Sequence, residues 1–331
     1  MATTPNTVLT SNQGNQMKLT QEPTPAKSLF ASYSHERGAV EARQVLAIMN
    51  DPRLQACQGL GVVMFGSARE EPTSIHSDFH RDTARLLMTT LFRGVQRNPK
   101  LQHLVPLFFT GGGPAVMTHG LEGAYLAAED TGFLHAPTSI GLRLYVATEG
   151  DGAPSNFEHH GHLCAYLTPR MLGFLHYARF GAICVLGGGG TAAEKVATAV
   201  EMQVKVGSPR PLCVIEEHHQ LFLHWVREFI VGKGLAGENF LKLFIPVQAD
   251  AKSIVTAIFR FWQEFLATNS AYVSAEEHDA FLLADPLSDG VVDRILANWE
   301  TVMAQFIMEE AQGRICWNVD ATPHEQLMEV S

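Results

Sequence analysis

The residues best placed by type and spacing to do chemistry are Gly188, Gly189, Gly190 and Thr191, with Glu194 three residues further on. They follow the apolar run Ala182-Ile183-Cys184-Val185-Leu186 and open a helical pattern that runs from Ala192 to about residue 206. A strand, a glycine turn and a helix start, in that order, aim backbone N–H groups at one spot where the helix dipole adds positive potential. Glycine lets the backbone approach an anion closely. The expected ligand of the turn is a phosphate. A carboxylate next to it is not needed to hold an anion, so Glu194 points to chemistry on a group attached to that phosphate. No lysine stands between the last glycine and Thr191, which argues against ATP hydrolysis of the P-loop kind.

Two other stretches have the same form. Gly61-Val62-Val63-Met64-Phe65 reads as a strand that ends in Gly66-Ser67-Ala68-Arg69, and Leu107-Phe108-Phe109-Thr110 leads into Gly111-Gly112-Gly113-Pro114 and a helix. Three such turns predict an α/β fold, a Rossmann-like doubly wound parallel sheet. Ligands of such sheets bind outside the carboxyl ends of the strands. The turn after Phe65 lacks the glycines of a dinucleotide fingerprint, which argues against a dinucleotide oxidoreductase.

In this order the three turns resemble the Lonely guy family of nucleotide phosphoribohydrolases, historically mislabelled lysine decarboxylases, and its longer members in particular. The family pattern is a first strand ending in GSAR, then TGGGPGIM, then an arginine-lysine pair, then PGGxGTxxE. Here these are Gly66 to Arg69, Thr110 to Met117, Arg170, and Gly188 to Glu194. Ala153-Pro154-Ser155-Asn156-Phe157 looks like the Pro-Asn segment of the longer members, and Gln203 falls on a further family position. The resemblance spans roughly residues 59 to 225. It implies hydrolysis of the N-glycosidic bond of a nucleoside 5′-monophosphate to free base and ribose 5-phosphate. Glu194 and Arg170 would be catalytic. Gly66, Ser67, Gly111, Gly112, Gly113, Asn156, Gly188, Gly189, Gly190 and Thr191 would bind phosphate and nucleotide. No metal and no organic cofactor is required, and a homodimer is expected. The chain departs from the pattern at Leu186 (proline in the family), Met171 (lysine), Thr118 (glutamate) and Ala197 (acidic). Those departures keep a second class in view, a nucleotide-binding or sensing module of the same fold without turnover.

The elements that must position these residues read as follows. Residues 1 to 26, rich in Thr, Asn, Gln and Pro, are expected to be a flexible tail without an apolar targeting segment. An N-terminal helical segment occupies 27 to 58, the nucleotide-binding core 59 to 268, and a C-terminal helical addition 269 to 331. Helices are expected at Ser77 to Arg93, Ala115 to Asp130, Arg170 to Arg179, Leu221 to Gly232 and Ala251 to Ala267, with strands at Leu104 to Phe109, Ser139 to Val146, Pro211 to Ile215 and Phe240 to Val247. The Gly- and Asp-rich stretch Ala147 to Pro154 reads as a site rim. Leu172, Phe174, Leu175 and Ala178 make an apolar face larger than one helix needs, which suits pairing with a second copy.

Composition narrows the partners. A net charge of −10 argues against broad nucleic-acid binding, and no run reaches the roughly 18 apolar residues of a membrane helix. The five cysteines form no CxxC pair, and Cys184 and Cys213 lie in core-like runs. A reduced, cytoplasmic setting is the expectation. Glu158-His159-His160-Gly161-His162 has metal-ligand residue types, but on an irregular loop adjacent histidines seldom converge on one ion, so they read as a polar rim. His218-His219 beside Glu216-Glu217 reads as a solvated turn.

Overall fold

The computed structural model describes residues 26–69, 75–134, 136–145, 155–204 and 207–311. The tail before residue 26, the stretch Ala147 to Pro154 and Cys316 lie outside the described residues. Seven strands form one sheet: β1 Gly61–Phe65, β2 Leu107–Thr110, β3 Ser139–Leu144, β4 His160–Cys164, β5 Gly181–Cys184, β6 Leu212–Ile215 and β7 Phe244–Val247. Their order is β4-β3-β2-β1-β5-β6-β7, and every pair is parallel. The chain builds outward from β1 to β4, then returns to lay β5 on the other side of β1. β1 and β5 therefore flank the switch point of a doubly wound, Rossmann-like sheet, the place where such sheets open a crevice at their carboxyl ends.

The helices are α1 Ala26–Met49, α2 Pro52–Gln55, α3 Ile75–Arg97, α4 Val116–Thr131, α5 Leu167–Tyr177, α6 Gly189–Gln203, α7 Glu216–Trp225, α8 Asn239–Lys242, α9 Ala251–Ala267, α10 His278–Leu283 and α11 Asp289–Ala311. Local chemistry sets several of their ends. Asp51 caps α2 by accepting the Arg53 N–H at 2.9 Å, with Pro52 at the first helical position. Gly132, at φ 71°, closes α4 in a left-handed turn. Asp250 caps α9 through the Ser253 N–H at 2.8 Å. The inner strands β1, β2, β5 and β6 are buried at every residue, as strands covered on both faces must be.

The chain divides into two compact units, residues 1–43 and 44–331. In the first, Arg37 and Glu41 pair at 3.0 Å, one turn apart on α1. In the second, the expected boundaries at 58 and 269 do not separate layers. Ile48, Leu54 and Cys57 are buried in the same core as the sheet. On α11, Trp299 packs edge-on to Phe180 and Trp262 at 5.2 and 5.0 Å, and Glu310 pairs with Arg179 at 2.7 Å. α11 thus packs into the same core as the sheet. No helix among the described residues is long and apolar enough to cross a membrane.

Candidate active site

The β1 and β5 turns are tied together at the switch point. The Ser67 N–H donates to the Leu186 carbonyl at 2.9 Å, and the Val185 N–H to the Phe65 carbonyl at 3.0 Å. Gly66 is pressed between Val116 and Val185, where a Cβ would meet both side chains. Ser67 Oγ accepts the Arg69 N–H at 3.0 Å within its own turn, which leaves its O–H to donate.

Gly188 is the cap residue of α6, so the N–H groups of Gly189, Gly190 and Thr191 start the helix without intrahelical partners. Gly188, Gly189 and Gly190 are exposed, none has a positive φ, and a Cβ on any of them would meet nothing within 4 Å. Nothing in the chain itself requires glycine at these three positions. Thr191 is buried and packs back over Gly187. Glu194, one turn further, is 2% exposed, and its Oε1 accepts from Arg170 Nη2 at 2.5 Å.

Arg170 reaches Glu194 from α5. That helix starts at Leu167, three residues before the expected start, because Pro169 needs no N–H partner in a first turn. The guanidinium lies 5.5 Å from the Phe174 ring and passes Gly111, where a Cβ would come within 2.8 Å of Nη2. Gly111 and Gly113 therefore make room for Arg170 and Met117. Gly112 has φ 66°, a conformation that favours glycine. Ala115, at φ 57°, adopts one that costs an alanine on the order of 1–3 kcal/mol. Thr118, at the departed glutamate position, caps the turn by donating to the Gly113 carbonyl at 3.0 Å.

A second buried pair, absent from the sequence reading, flanks the first. Arg143 on β3 meets Glu158 at 3.2 Å, their side chains 15% and 2% exposed. The Arg143 stem and the Glu158 carboxylate both crowd Gly112. Burial pushes the Glu158 carboxyl up to about 7, against the pull of Arg143. The only hint in the sequence was an arginine within the alternating strand Gly141 to Tyr145.

From behind, α6 is propped by α7. Lys195 Nζ lies 3.4 Å over the Phe222 ring and 3.1 Å from His219 Nδ1. His219 Nε2 is 3.1 Å from both the Cys184 and Val185 carbonyls, so it carries the proton and donates to the end of β5. His218-His219 is thus the first part of α7 rather than a solvated turn: its apolar neighbours fold it inward. Burial and the Lys195 charge push His219 down to about 4. The native chain holds it neutral where the unfolded chain, near 6.5, already binds a proton. The His219 contribution to stability should be intact above about pH 6.5 and fall by roughly 3 kcal/mol as pH drops toward 4, while the raised Glu158 carboxyl, which the native chain protonates first, works in the opposite direction. Urea unfolding of wild type and His219→Asn across that range checks it: wild type should lose stability relative to the variant as pH falls from about 6.5 toward 4.

The other expectations fall as follows. Asn156 is exposed in the turn that leads into β4. His160 and His162 are not on an irregular loop and form no rim: they lie on β4 and face Asp51. On α5, Phe174 and Ala178 are spent on the chain's own core, which leaves Leu172 as the exposed member of the expected pairing face. A separate cleft of about 460 Å³ beyond β6 and β7 is lined by Glu216, Glu217 and Asp250, an acidic wall that repels a phosphate.

Among the described residues the switch point therefore gathers an open helix N-terminus, a buried carboxylate one turn away, and a guanidinium touching that carboxylate. Compared with protein-family models and with curated proteins, the chain finds no match.

Proposed function

We propose that this chain hydrolyses the N-glycosidic bond of a nucleoside 5′-monophosphate, releasing free base and ribose 5-phosphate. The observation that carries the reading is the open glycine surface Gly188 to Gly190, one turn from the buried Glu194–Arg170 pair. Three glycines without a steric reason inside the chain suit an anion that approaches the backbone closely. The resemblance of the three turns to the Lonely guy pattern supports the same substrate class.

In this reading the 5′-phosphate rests on the first N–H groups of α6, and its binding energy holds the ribose in place. Bond cleavage builds oxocarbenium character on the sugar. The Glu194 carboxylate stabilises that charge or takes a proton from the attacking water. Arg170 orients Glu194, and its planar fork holds a ribose hydroxyl or the departing base. A homodimer goes with this reading, with Leu163, Leu167 and Leu172 as the exposed apolar residues on offer.

A panel of nucleoside 5′-monophosphates, assayed for ribose 5-phosphate, tests the reaction. Tight binding with no base released would assign the fold to sensing instead. A sharper test separates the glycine surface from stability. Gly189 is the first helical residue and has space around it. Gly189→Ala should leave stability unchanged or raise it by up to about 1 kcal/mol. It should also raise KM for the monophosphate several-fold, because the methyl stands where the anion belongs. An unchanged KM would remove the phosphate from this turn.

A further inference from the structure

β4 is an edge strand, and its sequence His160-Gly161-His162 places two imidazoles on one face by the two-residue period of a strand. Asp51, at the corner between α1 and α2, reaches the same point. Its Oδ1 accepts the Arg53 N–H as the α2 cap, which fixes the carboxylate and leaves Oδ2 to the histidines. Nε2 of His160 lies 2.5 Å and Nε2 of His162 2.9 Å from that oxygen. All three donor atoms fall within 4.8 Å of one another. Their side chains are 15%, 21% and 10% exposed, so the cluster is sheltered but open to solvent.

We propose that Asp51, His160 and His162 form a binding site for a borderline divalent transition metal, with zinc as the leading candidate. Two imidazole nitrogens and one carboxylate oxygen are the donor types zinc takes, whereas magnesium and calcium call for oxygen alone. Ligand bonds of about 2.0–2.1 Å place tetrahedral donors roughly 3.3 Å apart, so the two pairs that Asp51 makes need to open by less than about 1 Å. Three protein ligands leave a fourth position for water. The ion would pin the corner before α2 to the outer edge of the sheet.

Arg53 acts as the competitor. Its Nη1 lies 2.8 Å from His160 Nδ1. A guanidinium only donates, so in the metal-free chain Nδ1 accepts and Nε2 carries the proton toward Asp51. Metal on Nε2 shifts that proton to Nδ1 and sets it against the Arg53 donor. Arg53 is exposed and free to swing away, but its charge and its hydrogen bond both oppose the ion.

The test titrates the metal-free full chain with zinc against a chromophoric chelator, with cobalt as a spectroscopic stand-in. Wild type should take up one equivalent at micromolar zinc and melt at a higher temperature when loaded. His160→Ala and His162→Ala should each weaken binding by about tenfold or more, and Arg53→Ala should tighten it. Asp51→Asn keeps a cap on α2 and should still lose affinity, which covers the case where a histidine variant fails to fold. His103→Ala removes an unrelated surface histidine that meets Glu300 at 2.7 Å and should change nothing. The chain has 15 histidines, so zinc that survives in the His160→Ala, His162→Ala double variant is adventitious and overturns the site. So does a wild type that takes up no zinc, an Asp51→Asn variant that binds as wild type, or an Arg53→Ala variant that binds more weakly.

Discussion

Replacing Glu194 by glutamine should lower kcat on nucleoside monophosphates by about 10²–10⁴-fold, the range expected when a positioned acid–base or charge-stabilising group is lost. Binding of ribose 5-phosphate should change by no more than about threefold, which is below 1 kcal/mol. The split follows from the structure. In the proposed reading the anion contacts come from the first N–H groups of α6, while the carboxylate lies one turn deeper, 2% exposed and held by Arg170. Glutamine has the same shape but no charge, so the phosphate surface stays intact while the charge facing the sugar is gone. Steady-state kinetics and calorimetric titration of the same preparation decide it. Retention of most of the wild-type kcat would take Glu194 out of the chemistry.

The second large effect concerns Arg170→Ala. From sequence, Arg170 is expected to cost activity far more than stability, because a helix-start arginine at a cleft edge bears on the ligand alone. The buried pair changes that expectation. Arg170 is 11% exposed, and its loss takes a cation away from the buried Glu194 carboxylate. Breaking such a pair from one side costs about 3–5 kcal/mol. The fall in kcat/KM should be roughly ten- to a hundredfold, the worth of one charge-assisted hydrogen bond in a closed site. The double variant Arg170→Ala, Glu194→Gln should recover part of the lost stability, because the buried negative charge is gone as well, and none of the lost activity. Arg170→Lys should restore neither fully, because lysine lacks the planar fork that reaches past Gly111. Melting curves and kinetics on the four proteins form a double-variant cycle. Near-normal kcat/KM in Arg170→Ala would make the pair a structural strut and nothing more.

The fold class and the edge that carries the glycine turns were legible in the residues, because both rest on local rules. A buried strand, a glycine turn and a helix start are each written within about ten residues. Three such units in one chain imply parallel strands whose turns share the carboxyl edge. Hence β1, β2 and β5 with Gly66, Gly111 to Gly113 and Gly188 to Thr191 came out in place. β4 did not, because His160-Gly161-His162-Leu163-Cys164 lacks the β-branched residues and the apolar alternation of a strand. It is held in the sheet by pairing with β3. The charged pairs were beyond reach for a different reason. Arg170 and Glu194, Arg143 and Glu158, Lys195 and His219, and Asp51 with His160 join positions 15 to 109 residues apart. Burial decides which charges must find a partner, and burial belongs to the packed elements rather than to any stretch of sequence. The sequence determined which residue types arrive at the switch point; only the tertiary structure decided that Arg170 and Glu194 meet there out of water, which makes one ion pair both a stabilising contact and the centre of the proposed chemistry.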